Sequence, residues 1–134
     1  MSTFSHRALD LQKDKTLVYT AMSKHLFYFR MHISRYVLQN GGVPLNPFMV
    51  FDYFLQDNVD RDLVREGNNN LVKRSDELWI FGPVSNGVLA EVQIANKNGK
   101  PVRYFAVIDS TEIKEVTKKD VELEDDVAGQ RHLL

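Results

Sequence analysis

The 134-residue chain contains no cysteine, so disulfides, thiolate zinc sites and cysteine nucleophiles are all excluded. It has no excess of either charge: 17 basic residues stand against 18 acidic ones, which gives neither the footprint of a nucleic-acid binder nor a basic stripe for a membrane surface. No apolar run approaches the ~18 residues of a membrane span. The N-terminal stretch MSTFSHRALDLQKDK lacks the apolar region of a secretory leader. The expectation is a soluble, unprocessed, cytoplasmic protein with no nucleic-acid or membrane partner. There is no internal repeat and no low-complexity linker. A G-x-S-x-G nucleophile elbow is missing, and TAMSKH, after the first apolar run, lacks the glycines of a dinucleotide fingerprint. The histidines His6, His25, His32 and His132 show no metal-site spacing with nearby carboxylates, so neither a metal nor a cofactor is expected.

What is present suffices for one core, since 43% of the residues are hydrophobic. Residues 1–15 are mixed and polar and read as a loosely held arm or a short helix, leaving 16–134 as a single domain. TLVYTA, from Thr16, reads as a buried strand. From Lys24 the apolar residues Leu26, Phe27, Phe29, Ile33, Tyr36 and Val37 recur at helical spacing until Gly41 and Gly42 stop the helix. A short second strand follows at Val43 to Leu45. Asp60 to Arg74 reads as a helix, weakened or in part ended by Gly67 and by Asn68, Asn69 and Asn70. The aromatic run FMVFDYFL, Phe48 to Leu55, is core or interface, or turns one or two rings to a base-sized ligand. Ile113 to Val116 and Val121 to Leu123 are short strands or pieces of one helix. The alternation predicts an α/β fold: a Rossmann-like (flavodoxin-like) parallel sheet with helices on both faces and strands near 17–21, 43–45, 77–82 and 101–105.

The most informative stretch is Ser75 to Phe105, SDELWIFGPVSNGVLAEVQIANKNGKPVRYF, which has the order strand, crossover helix, parallel strand. Glu91 stands four residues after Gly87. Helical side chains lean toward the N-terminus, so Glu91 reaches back over a position where glycine leaves a hollow. Ser85 or Asn86 can cap the helix and leave N–H groups pointing into the same space. The pattern also fits a helix that merely carries an acid for its dipole. In an open parallel sheet ligands bind beyond the carboxyl ends of the strands. The two loops that meet there carry Ser23 and Ser85, and with Lys24 and His25 they offer a phosphate cradle.

Tyr19 with Ser23 four residues later, Asp76 before an apolar strand, Ser85-x-Gly87-x-x-x-Glu91 and Gly99-Lys100-Pro101-Val102 together resemble the nucleoside 2-deoxyribosyltransferase superfamily. The two serine positions are most similar to its 2′-deoxynucleoside 5′-monophosphate N-glycosidase branch. The likeness runs from about Thr16 to Phe105. It implies a retaining attack on an N-glycosidic bond, with Glu91 as the nucleophile, Tyr19 holding it, and Ser23 and Ser85 binding a 5′-phosphate. Lys24, His25, Asn46, Asn68 and Gly87 complete the candidate substrate-binding set. It also implies a homodimer or higher even assembly, for which Phe48 to Leu55 is a candidate surface.

The chain departs from that pattern in two places. Where the family carries an aspartate that assists protonation of the leaving base, this chain has Asn68 or a neighbour, and an amide donates no catalytic proton. Asp62 or Glu66 is the candidate replacement. Lys24-His25 stands where the monophosphate branch has an arginine and glycines. Two functions follow: cleavage or transfer of the N-glycosidic bond of a (deoxy)nucleoside or its 5′-monophosphate, or a non-catalytic nucleotide-binding or sensing module on the same fold.

Overall fold

The valine-, isoleucine- and aromatic-rich runs form strands, and the first four lie parallel because helical segments carry the chain back between them. The structure, a computed structural model, describes residues 3–51, 55 and 57–134. Its strands are β1 (Thr16–Met22), β2 (Gly42–Leu45), β3 (Glu77–Gly82), β4 (Val102–Val107) and β5 (Ile113–Val116). Its α-helices are α1 (Arg30–Gln39), α2 (Pro47–Val50), α3 (Arg61–Arg74) and α4 (Asn86–Lys97). The sheet order is β2-β1-β3-β4-β5, parallel from β2 to β4, with β5 antiparallel to β4. This is the expected single flavodoxin-like α/β domain, with an antiparallel edge strand added after a turn in which Asp109 accepts from the N–H groups of Thr111 and Glu112.

Period-two alternation divides the strand residues between two cores. Tyr19, Ala21, Leu78, Ile80 and Tyr104 point to one face, where Val72 of α3 and Val88, Val92 and Ala95 of α4 cover them. Val18, Met22, Trp79, Phe81 and Phe105 point to the other, under Ile33 and Val37 of α1. That second face is aromatic: Phe105 stacks on Trp79 and on Phe81 with centroids 5.0 Å apart in each case, and Tyr36 closes edge-on at 5.5 Å.

Three local outcomes differ from the sequence pattern. Lys24–Phe29 is a 3-10 helix capped by Ser23 and becomes α-helical only at Arg30. α3 runs unbroken through Gly67 and the asparagines. The glycine serves packing, because an added Cβ would lie 2.7 Å from the Phe51 ring. Asn70 bonds back to the Glu66 carbonyl and accepts from Arg74, so it supports the helix instead of fraying it. Residues 121–123 form neither a strand nor a helix of their own; a single bridge joins Leu123 to Val84. Residues 3–15 are all exposed and contain a 3-10 turn at Arg7–Asp10. In the aromatic run, Asp52, Tyr53 and Phe54 lie outside the described residues, whereas Met49 and Val50 are exposed.

Candidate active site

A sharp turn after β3 sets the site. Gly82 lets the C-terminal segment pass close, since a Cβ there would lie 2.9 Å from Val121, and Ser85 then caps α4 by accepting from the Val88 N–H at 3.3 Å. Glu91 follows after one and a half turns. At the end of β1, Ser23 caps the next helical segment in the same way, accepting from the His25 N–H at 3.3 Å. Between these two helix starts, at the carboxyl ends of β1 and β3, lies a pocket of about 620 Å³. That volume suits a nucleoside-sized ligand.

Glu91 sits at the floor of this pocket, crowded by protein yet open to it. Its Oε2 accepts from the hydroxyl of Tyr19, a side chain wholly buried in the sheet. Burial pushes the Glu91 carboxyl up from 4.5 to about 7, and the Tyr19 hydrogen bond pulls against that rise. Burial, reinforced by the neighbouring carboxylate, holds the Tyr19 phenol well above its ordinary range, so Tyr19 is a donor and not a base. An added Cβ at Gly87 would meet nothing closer than the Ser85 hydroxyl at 4.0 Å, so the hollow above the carboxylate is real.

The pocket brings together Ser23, Lys24, His25, Asn68, Ser85, Gly87 and Glu91. Tyr19 lies beneath them. Asn46 is placed elsewhere. It is 3% exposed and caps α2 by accepting from Phe48 N–H, and its amide donates to the Arg30 carbonyl, which brackets β2 to α1. Neither candidate replacement for the missing aspartate reaches the pocket. Asp62 pairs with Arg65 at 2.8 Å on the exposed side of α3, and Glu66 is exposed. Asp76 and Gly99 belong to the opposite, amino end of the sheet. Asp76 accepts from the Leu17 N–H at 2.7 Å, and Gly99, with φ +67°, ends α4.

Phe48, from the aromatic run, and Asn69, beside Asn68, also line the pocket, whereas sequence reasoning missed Arg65 and, above all, Glu124 and Asp126. The last two arrive because the C-terminal segment pairs with the loop after β3: Val84 N–H donates to the Glu122 carbonyl at 2.8 Å and Glu124 N–H to the Val84 carbonyl at 2.9 Å. The apolar Val121, Leu123 and Val127 in an otherwise polar tail were the one available signal that it docks. Asn68 Oδ1 is buried without a hydrogen-bond partner. Among the described residues no group of three or more His, Asp or Glu is arranged to hold a metal ion, and no helix is long and apolar enough to cross a membrane.

No curated protein matches the chain. A family model described as a domain of unknown function, DUF7768, matches residues 19–105, so the span from Tyr19 into β4 is family sequence. The chain belongs to that family.

Proposed function

We propose that this DUF7768 protein cleaves or transfers the N-glycosidic bond of a nucleoside or its 5′-monophosphate, with Glu91 as nucleophile. The observation that carries this reading is a glutamate at the floor of a nucleoside-sized pocket, held by a buried tyrosine and facing an empty hollow over Gly87. The likeness of the Tyr19, Ser23, Ser85, Gly87 and Glu91 pattern to the nucleoside 2-deoxyribosyltransferase superfamily supports the same reading. Tyr19 uses one carboxylate oxygen and leaves the other for the sugar. Attack by that oxygen on C1′ stabilises the oxocarbenium-like transition state and ends in a glycosyl ester, which water or a second base then resolves. Ser23 and Ser85 line the pocket together with Lys24 and His25, a grouping that supports a 5′-phosphate site there. A homodimer or higher even assembly, using the segment around Met49 and Val50, completes the proposal.

A second reading, a non-catalytic nucleotide-binding module, is favoured by Asn68, which puts an amide where a proton donor would serve a neutral leaving base. Base release from a panel of nucleosides and 5′-monophosphates separates the two. The enzyme reading expects release by the wild type and none by Glu91→Gln, with ligand still raising the melting temperature of the variant. Thermal stabilisation by ligand without any release would establish the binding module instead.

A further inference from the structure

The base of a neutral nucleoside leaves C1′ readily only if an acid protonates it as the bond breaks, and a positioned acid contributes on the order of 10²–10⁴-fold. Asp62 and Glu66 of α3 stand outside the pocket, but a different part of the chain brings carboxyls into it. Among the described residues its charged and titratable lining groups are Lys24 and His25 after β1, Arg65 on α3, Glu91 on α4, and Glu124 and Asp126 on the C-terminal segment. Glu91 is engaged by Tyr19, which leaves the two tail carboxyls. They are not equivalent, because Asp126 is exposed whereas Glu124 is half-buried. The backbone at Glu124 is also fixed: its N–H donates to the Val84 carbonyl at 2.9 Å, Leu123 packs against the core, and Val121 and Val127 on either side are buried. Val84 directly precedes Ser85, the cap of α4, so the contact that holds Glu124 ties it to the helix carrying Glu91. The carboxyl itself is not spent on this anchoring. Glu124 starts the 3-10 turn Asp125–Val127 without a side-chain cap bond, and among the described residues its carboxyl takes no hydrogen bond or ion pair.

We infer that Glu124 is the general acid of the reaction, a carboxyl delivered by the C-terminal segment to the leaving base in the role that α3 leaves unfilled. The inference rests on Glu91 acting as nucleophile. In the first step a Glu91 oxygen bonds to C1′ as the C1′–N bond breaks, the bonding pair passes to the base, and the base takes the Glu124 proton. In the second, water attacks C1′, its proton goes to the Glu124 carboxylate, and the ester bond breaks with its pair returning to Glu91. The sum is nucleoside plus water giving free sugar and neutral base, with both carboxyls restored. One carboxylate as nucleophile and a second carboxyl as acid and then base is the division of labour in retaining glycoside hydrolysis. A fixed backbone with a free carboxyl suits the second role, since the proton donor must be positioned and must not be held by the protein.

The test compares substrates that need the proton with substrates that do not. Guanosine is paired with 7-methylguanosine and uridine with nicotinamide riboside, each also in its 2′-deoxy and 5′-phosphate forms; the second member of each pair carries a cationic base that departs neutral without an acid. After subtraction of uncatalysed release, Glu124→Gln is expected to lower kcat/KM for the neutral member on the order of 10²-fold or more and to lower it far less for the cationic one. The wild-type profile of kcat/KM against pH for the neutral member is expected to fall on the alkaline side, and Glu124→Gln to lose that limb. The melting temperature of the variant should match the wild type, because the anchoring bonds at Glu124 are made by its backbone. Equal losses on both members, no loss on the neutral one, wild-type release from the cationic members alone, or the selective loss appearing in Asp126→Asn instead overturns the inference and leaves Glu91 as nucleophile intact. No release from any probe by the wild type overturns the glycosidase reading and this inference with it.

Discussion

Glu91, on α4, and Glu115, on β5, lie over opposite faces of one sheet, and their carboxyls move in opposite directions. Glu115 lies at the edge of the aromatic face, where it takes two bonds from Arg103, at 2.7 and 2.9 Å, while the guanidinium rests 4.5 Å from the Trp79 ring centre. The Arg103 hydrogen bond holds its carboxyl below the ordinary range. Glu91, on α4, takes no bond from any cation among the described residues and is held near 7 by burial against the single bond from Tyr19. On the aromatic face Arg103 meets both the Glu115 carboxylate and the Trp79 ring, whereas the other face keeps a carboxylate in a place that disfavours its charge. A fold would not hold a poorly solvated acid for its own stability. The difference separates a structural acid from one positioned for chemistry.

Replacing each acid sharpens that contrast, and Glu91 should show the larger effect. Its folded value lies above its unfolded one, so the native state binds more protons than the unfolded state between pH 4.5 and about 7. Stability should therefore fall as pH rises through that window, by about 3 kcal/mol in all. Glu91→Gln keeps an acceptor for Tyr19 and has no charge to desolvate. Denaturant unfolding at pH 8 should find it more stable than the wild type, with the gap closing below pH 4.5. A less stable variant at pH 8 would mean that Glu91 is a structural residue after all.

Gly87→Ala breaks the hollow without touching the acid. Alanine is the better helix former by up to about 1 kcal/mol and meets no clash closer than the 4.0 Å to Ser85, so melting temperature should hold or rise slightly. Ligand affinity should fall, because the new methyl group occupies the space above Glu91. Calorimetric titration with the best nucleotide of the panel reads the second effect, and unchanged affinity would place the ligand elsewhere.

The smallest effect belongs to Glu115→Gln. The pair is about half exposed, so after allowance for solvent its loss should cost no more than about 0.2–1 kcal/mol at neutral pH. Because the Glu115 carboxyl is lowered on folding, that contribution is present above pH 4.5 and is lost as pH falls below it, the reverse of Glu91. A pH series of melting temperatures for the two variants should thus diverge at opposite ends.

Much of this architecture was legible in the sequence because β-branched and aromatic runs are strong local signals. Thr16–Met22, Gly42–Leu45, Glu77–Gly82 and Val102–Val107 all fall within a few residues of where their apolar residues place them. β5 was legible only as one of two alternatives, strand or helix, since Ile-Lys-Glu-Val is a charged edge strand fixed by its partner, through pairs such as Phe105 with Glu115. The grouping of Ser23, Ser85, Gly87 and Glu91 could be read because two helix starts and one four-residue spacing generate it. Glu124 and Asp126 could not, because their place depends on a tail that docks through Val121 on Gly82 and two backbone bonds to Val84. Asn46 shows the converse: a polar residue after a strand looked like a ligand group and became a cap and bracket within the fold.

The most direct measurement is a search for the covalent intermediate. The protein is incubated with a 2′-fluoro nucleoside, whose electron-withdrawing substituent slows turnover of the ester, then digested and its peptides weighed by mass spectrometry. The account predicts a fluorosugar mass on the peptide bearing Glu91, absent from Glu91→Gln and from protein held with excess unlabelled ligand. Base release that proceeds undiminished in Glu91→Gln, or a sugar attached to a different residue, would contradict it.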